Sequence, residues 1–98
     1  MIQNVVTSSR SLGAVYRNQS KTPMTVSVSC VMGPGGYMGA NVDSSPTPST
    51  RVAYAGVTSN GTENALSMTF VAEPLFYYQV EALDVTDVVT MVLWTEWN

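Results

Sequence analysis

The chain has 98 residues, enough for one domain with a modest core, and a net charge of −3 from seven carboxylates set against Arg10, Arg17, Lys21 and Arg51. Four scattered cations exclude nucleic-acid binding by phosphate neutralisation, and no apolar run approaches the roughly eighteen residues of a membrane-spanning helix. Charged residues are only 11% of the chain against 45% hydrophobic, so its polarity comes from Ser, Thr, Asn and Gly, which suits a β-rich, tightly associated protein.

Residues 1–9 form a polar-apolar lead, expected as an N-terminal arm or first edge strand, with one domain over 10–98. The lead lacks the charged start and greasy centre of a signal peptide, so synthesis in the cytoplasm is expected. Arg10 to Tyr16 predicts a strand, closed by the turn-rich stretch from Arg17 to Pro23. The clearest alternation follows, with Met24, Val26, Val28, Cys30 and Met32 on one face and Thr25, Ser27 and Ser29 on the other.

Gly33-Pro34-Gly35-Gly36 breaks that strand, and Tyr37 to Val42 predicts a short successor. The Ser/Pro/Thr-rich stretch from Asp43 to Thr50 predicts a surface loop, and Arg51 to Ala55 resumes extended structure. After an Asn60-Gly61 turn, Leu66, Met68, Phe70 and Ala72 alternate with Ser67, Thr69 and Glu73 until Pro74. Phe76, Tyr78, Val80 and Ala82 then oppose Tyr77, Gln79 and Glu81, and a turn at Asp84 to Asp87 leads into the last strand.

That last strand, from Val88 to Trp97, is apolar in both phases. Phase counting places Val89, Met91, Leu93 and Trp97 in the core with Val26, Val28, Cys30, Phe70 and Val80, and turns Val88, Val92 and Trp94 toward a partner subunit. About seven short strands with turns at regular intervals predict an all-β chain, an antiparallel β-sandwich or jelly-roll-like fold.

With no histidine in the chain, the commonest general base, zinc ligand and nucleophile partner are missing. All seven carboxylates read as solvated turn or outward strand positions, and Cys30 reads as a small buried hydrophobe without a cationic neighbour. Asp84 to Asp87 lacks the glycine and distant glutamate of a calcium loop, and Gly33 to Gly36 lacks the lysine and helix of a phosphate loop. The two glycosylation sequons, at Asn18 and Asn60, read as ordinary turns, and no catalytic, metal or cofactor site is expected. Tyr37, Tyr54, Tyr77, Trp94 and Trp97 are able to stack on sugar rings, but aromatics at strand spacing more often pack.

Three stretches together resemble small β-structured virion proteins of tailed bacteriophages, found as capsid decoration proteins, head or tail fibre components and fibre-chain domains. The stretch from Arg10 to Val28 looks like their recurring opening: Arg, Leu-Gly, Tyr-x-Asn, a turn ending in Pro, then an alternating strand. Residues Val71 to Val80 are similar to their Val-Pro-Pro-Gly-x-x-Tyr segment, with Glu73-Pro74-Leu75 standing where Pro-Pro-Gly is expected, and Trp94-Thr95-Glu96 matches their closing Trp-x-Glu. That closing motif, taken alone, makes Trp94 a structural anchor.

The resemblance implies a non-enzymatic phage structural protein with a β-sandwich fold, commonly trimeric. A chain opening on Met1 favours a free-standing decoration, cement or head-fibre subunit. The expected partners are its own copies as a homotrimer and phage capsid or tail proteins in the virion, with no nucleic acid, membrane or cofactor. The alternative is a tail-fibre or receptor-binding module that recognises host surface glycan through a loop tip carrying Tyr37, Ser45, Thr47 and Asn60.

Overall fold

The structure is a computed structural model that describes residues 2–33, 35–56, 64–83 and 89–98. Eight strands are present among the described residues: β1 (Gln3–Val5), β2 (Val15–Arg17), β3 (Met24–Met32), β4 (Tyr37–Asp43), β5 (Arg51–Gly56), β6 (Asn64–Ala72), β7 (Tyr77–Leu83) and β8 (Thr90–Trp97). The first sheet has the order β1-β8-β3-β6 and the second β2-β7-β4-β5, with every pair antiparallel. The pairing is nested: β1 with β8, β2 with β7, β3 with β6 and β4 with β5. The chain is thus one long hairpin folded across two packed sheets.

The regular alternation of β3 and β6 lets them pair in register from Met24 opposite Ala72 to Met32 opposite Asn64. Their inward residues meet Met38, Ala40 and Val42 of β4 and Tyr78 and Val80 of β7 in one apolar core. Val26, Val28, Cys30, Phe70 and Val80 all lie in that core. Cys30 is a free thiol there, and burial pushes its pKa up to about 11.

At the N-terminus β1 takes the edge-strand form of the two expected there, pairing with β8, and Ile2 and Asn98 exchange backbone hydrogen bonds of 2.7 and 3.1 Å. The strand expected from Arg10 shrinks to β2, because Thr7–Ser9 forms a 3-10 turn and Ser11 to Ala14 forms a second turn. Gly13 takes φ +87° in that second turn, a conformation that a side chain at this position would disfavour.

The turn before β7 keeps its shape without a glycine. The Phe76 amide donates to the Glu73 carbonyl at 3.0 Å across Pro74 and Leu75, and Leu75 holds φ +67°. This is a type II turn with a leucine at the left-handed position that glycine usually fills, at a backbone cost of roughly 1–2 kcal/mol. The Leu75 amide offsets part of it by donating to the Asn18 carbonyl at 2.8 Å.

A β-bulge decides which residues of β8 face inward. Ser29 lies opposite Leu93 and Cys30 opposite Met91, which leaves Val92 as the extra residue. Met91 and Trp94, three positions apart, therefore both face the core, and the phase reverses midway. Trp94 is fully buried, whereas Leu93 and Val92 are exposed. The expectations of an outward Trp94 and a core Leu93 are corrected by this one-residue insertion. Trp97, also expected in the core, lies half-buried opposite outward-facing Thr25.

Candidate functional site

The one charged residue in the four strands of the first sheet is Glu96, and it points inward. Its carboxylate accepts from Arg10 Nε at 2.9 Å, Arg10 Nη2 at 2.8 Å, Tyr78 Oη at 2.7 Å and Trp94 Nε1 at 3.0 Å. The expectation that every carboxylate is solvated fails here, because the alternation that buries Trp94 also buries the residue two positions on. Burial pushes the Glu96 pKa upward, but the hydrogen bonds from Arg10, Tyr78 and Trp94 and the charge of Arg10 outweigh it and hold the group below its ordinary value.

Arg10 in turn lies 4.6 Å from the Tyr16 ring centroid, and Tyr16 packs edge-on to Trp94 at 5.9 Å. The hydrogen bond to Glu96 raises the Arg10 pKa, and burial raises that of Tyr78. Oε2 of Glu96 takes three of these four hydrogen bonds and Oε1 takes the fourth, so the carboxylate is held in place by donors from three parts of the chain. This network fastens the N-terminal segment to the end of the sandwich.

The outer face of the first sheet carries hydroxyls bordered by apolar side chains. Ser29 and Ser67, directly opposite each other on β3 and β6, are linked at 2.9 Å, and Thr69 donates to Ser27 at 3.4 Å. Leu93 and Trp97 flank these on the β8 side, and Val71 on the β6 side. Exposed Val5, opposite Thr95, extends the apolar border along β1.

The outer face of the second sheet is built differently. Arg17, Asp43, Arg51 and Glu81, one from each strand, all occupy outward positions. Arg51 Nη2 meets Glu81 Oε2 at 3.2 Å, Arg51 Nε donates to Asn41 Oδ1 at 2.7 Å, and Asn41 Nδ2 donates to the same Glu81 oxygen at 3.3 Å. Gly39 makes this network possible, since a Cβ there would overlap the Arg51 guanidinium.

A second bulge, at Val52, places Arg51 and Tyr54 on the same face although they are three residues apart. Tyr54 is 69% exposed and stands edge-on to Tyr37 with centroids 6.0 Å apart. At the far end Arg17 covers Tyr77 at 5.0 Å. Beside Glu81 the surface dips into a depression of about 340 Å³, walled by Leu12, Gly13, Ala82 and Leu83, where, among the described residues, β2 stops at Val15 opposite Gln79.

The residues expected at a loop tip are not brought together. Tyr37 begins β4 while Ser45 and Thr47 follow its far end, a separation of roughly 20 Å along an extended strand. Ser45 and Thr47 belong to a loop organised by Asp43, whose carboxylate accepts from the Ser45, Ser49 and Thr50 amides at 2.9, 2.8 and 3.1 Å. Those amides, Ser49 foremost, lower the Asp43 pKa. Asn60 and Val88 lie outside the described residues, Val92 is exposed, and Val89 and Met91 pack partly buried against the core.

Sequence reasoning missed the Arg51, Asn41 and Glu81 network, whose only sequence signal was a small residue, Gly39, in mid-strand. No cluster of three potential metal ligands occurs among the described residues. No family model, curated protein or solved structure matches this chain.

Proposed function

We propose that this protein is a structural subunit of a bacteriophage particle, of the capsid decoration, cement or head-fibre kind, and that it acts by packing rather than by catalysis. The observation that carries this reading is the uncharged outer face of the first sheet, where hydroxyls bond to one another between exposed Val5, Val71 and Leu93. Hydroxyls already paired cost little to remove from water, and no ion must be stripped of its hydration when the face is covered. Such a face favours association over solvation.

Two further features support the reading. The nested strand order favours a jelly roll, an architecture used by viral capsid domains as well as by lectins. Residues from all three phage-like stretches, Arg10 and Tyr16, Tyr78, and Trp94 and Glu96, converge on one buried network. We take the assembly to be a homotrimer joined to capsid or tail proteins in the virion, made in the host cytoplasm.

Native mass spectrometry, together with co-sedimentation with purified phage capsids, tests this. The expected result is a trimer that binds capsids, and a Leu93→Lys, Val71→Lys double variant that is monomeric with unchanged melting. A wild-type chain that stays monomeric and ignores capsids overturns the proposal.

A further inference from the structure

We infer that the outer face of β7, β4 and β5 is a binding site for a neutral oligosaccharide, with Tyr54 and Tyr37 as its stacking platform and the Arg51, Asn41 and Glu81 network as its reader of hydroxyl groups. This face lies on the opposite side of the sandwich from the one that carries the assembly reading, and the two inferences stand or fall separately.

The ligand class follows from the chemistry of the face. A sugar ring presents apolar C–H groups on its faces and hydroxyls, each both donor and acceptor, around its rim. Tyr54 offers an exposed aromatic surface for the first, held upright by its edge contact with Tyr37. Glu81 as acceptor and Arg51 and Asn41 as donors, fixed to one another at 2.7–3.3 Å, offer the second. Planar groups that are already positioned lose little freedom when a ligand arrives.

Charge complementarity selects a neutral ligand. Arg51 is balanced by Glu81, and the Asp43 carboxylate is engaged by its own loop. The remaining cation, Arg17, lies over Tyr77. Arg17 also donates to the Leu75 carbonyl at 2.9 Å, at the opposite end of β7 from Glu81, so along the row of Tyr54, Gly39 and Glu81 the one cation is matched by a carboxylate. A protein partner laid flat on this face would have to desolvate the Arg51–Glu81 pair.

The shape sets the length. Tyr54, Gly39 and Glu81 stand directly opposite one another across β5, β4 and β7, a row of about 10 Å over two strand spacings. Beyond Glu81 the row opens into the depression of about 340 Å³ beside Leu12 and Gly13, within the roughly 300–1,000 Å³ range of small-ligand sites. A platform at one end and a pocket at the other fit a short oligosaccharide rather than a single ring.

Ligand-observed NMR titration of the full chain tests this with cello-, xylo- and galacto-oligosaccharides, and with sialyllactose as the acidic counterpart. At least one neutral series is expected to bind, and Tyr54→Ala and Arg51→Met are each expected to weaken it by roughly tenfold with melting unchanged. Failure of every neutral series to bind, binding of sialyllactose alone, or binding that survives both substitutions overturns the proposal. So does a Tyr54→Ala variant of reduced oligomeric mass, which would assign the face to a protein contact.

Discussion

The two outer faces of the sandwich are made from the same strand geometry and handle polarity in opposite ways. In the first sheet one charged residue occurs in four strands and it is turned inward; in the second, each strand contributes one charged residue and all four are turned outward. The first face presents paired hydroxyls, Ser29 with Ser67 and Ser27 with Thr69, and no charge from its strands, while the second displays ionic and amide groups around exposed tyrosines. Charge scarcity in a composition is therefore not spread evenly: here it is concentrated into one face that can be buried cheaply and one that holds water or a ligand.

The strongest challenge to that contrast is Trp94→Ala, because Trp94 belongs to neither face and packs between the sheets. A loss of about 3–5 kcal/mol is expected, and association and saccharide binding should fall together with melting. A folded monomer in its place would return Trp94 to an interface and dissolve the distinction between the faces.

Glu96→Gln ranks next, at about 3 kcal/mol, because it leaves Arg10 without its anion. The wild-type pH dependence follows from the same group. Its folded-state pKa lies below the ordinary 4.5, so protons bind the unfolded chain more readily. The stabilisation is complete above that ordinary value and is lost as pH falls through it toward the folded-state value. Glu96→Gln should flatten this acid limb in denaturant titrations, and an unchanged limb would show that other carboxylates govern it.

Gly39→Ala has the smallest expected effect on stability, under about 1 kcal/mol, since the group it displaces is the far end of a flexible side chain. It sharpens the contrast most, because saccharide binding should weaken while oligomeric mass stays the same. A parallel loss of mass would mean that the two faces are not independent.

Much of the fold was legible in the sequence where alternation is unbroken. β3 and β6 keep period two over nine residues each, and Val26, Val28, Cys30 and Phe70 lie in the core as that period requires. Reading failed where a strand carries one extra residue. The bulge at Val92 exchanges the expected environments of Leu93 and Trp94, and the bulge at Val52 brings Arg51 and Tyr54 to one face. A bulge has no residue signature of its own; it is set by pairing with a neighbour, which a single strand does not reveal. Past the bulge Trp94 and Glu96, two residues apart, share the inward phase, and the indole donates to the carboxylate.

The nested pairing also orders the closing of the chain in time. The β4–β5 hairpin joins neighbours in sequence, and the Asp43 carboxylate draws its loop together within seven residues, whereas Arg10 and Glu96 are 86 residues apart. Each outer pair must close a longer loop than the one inside it, so zipping from the middle outward has the lowest entropy cost at every step. The Glu96 lock then shuts last. In stopped-flow experiments the Glu96→Gln variant should unfold faster while folding at nearly the wild-type rate, and slowed folding would place the lock in the nucleus instead.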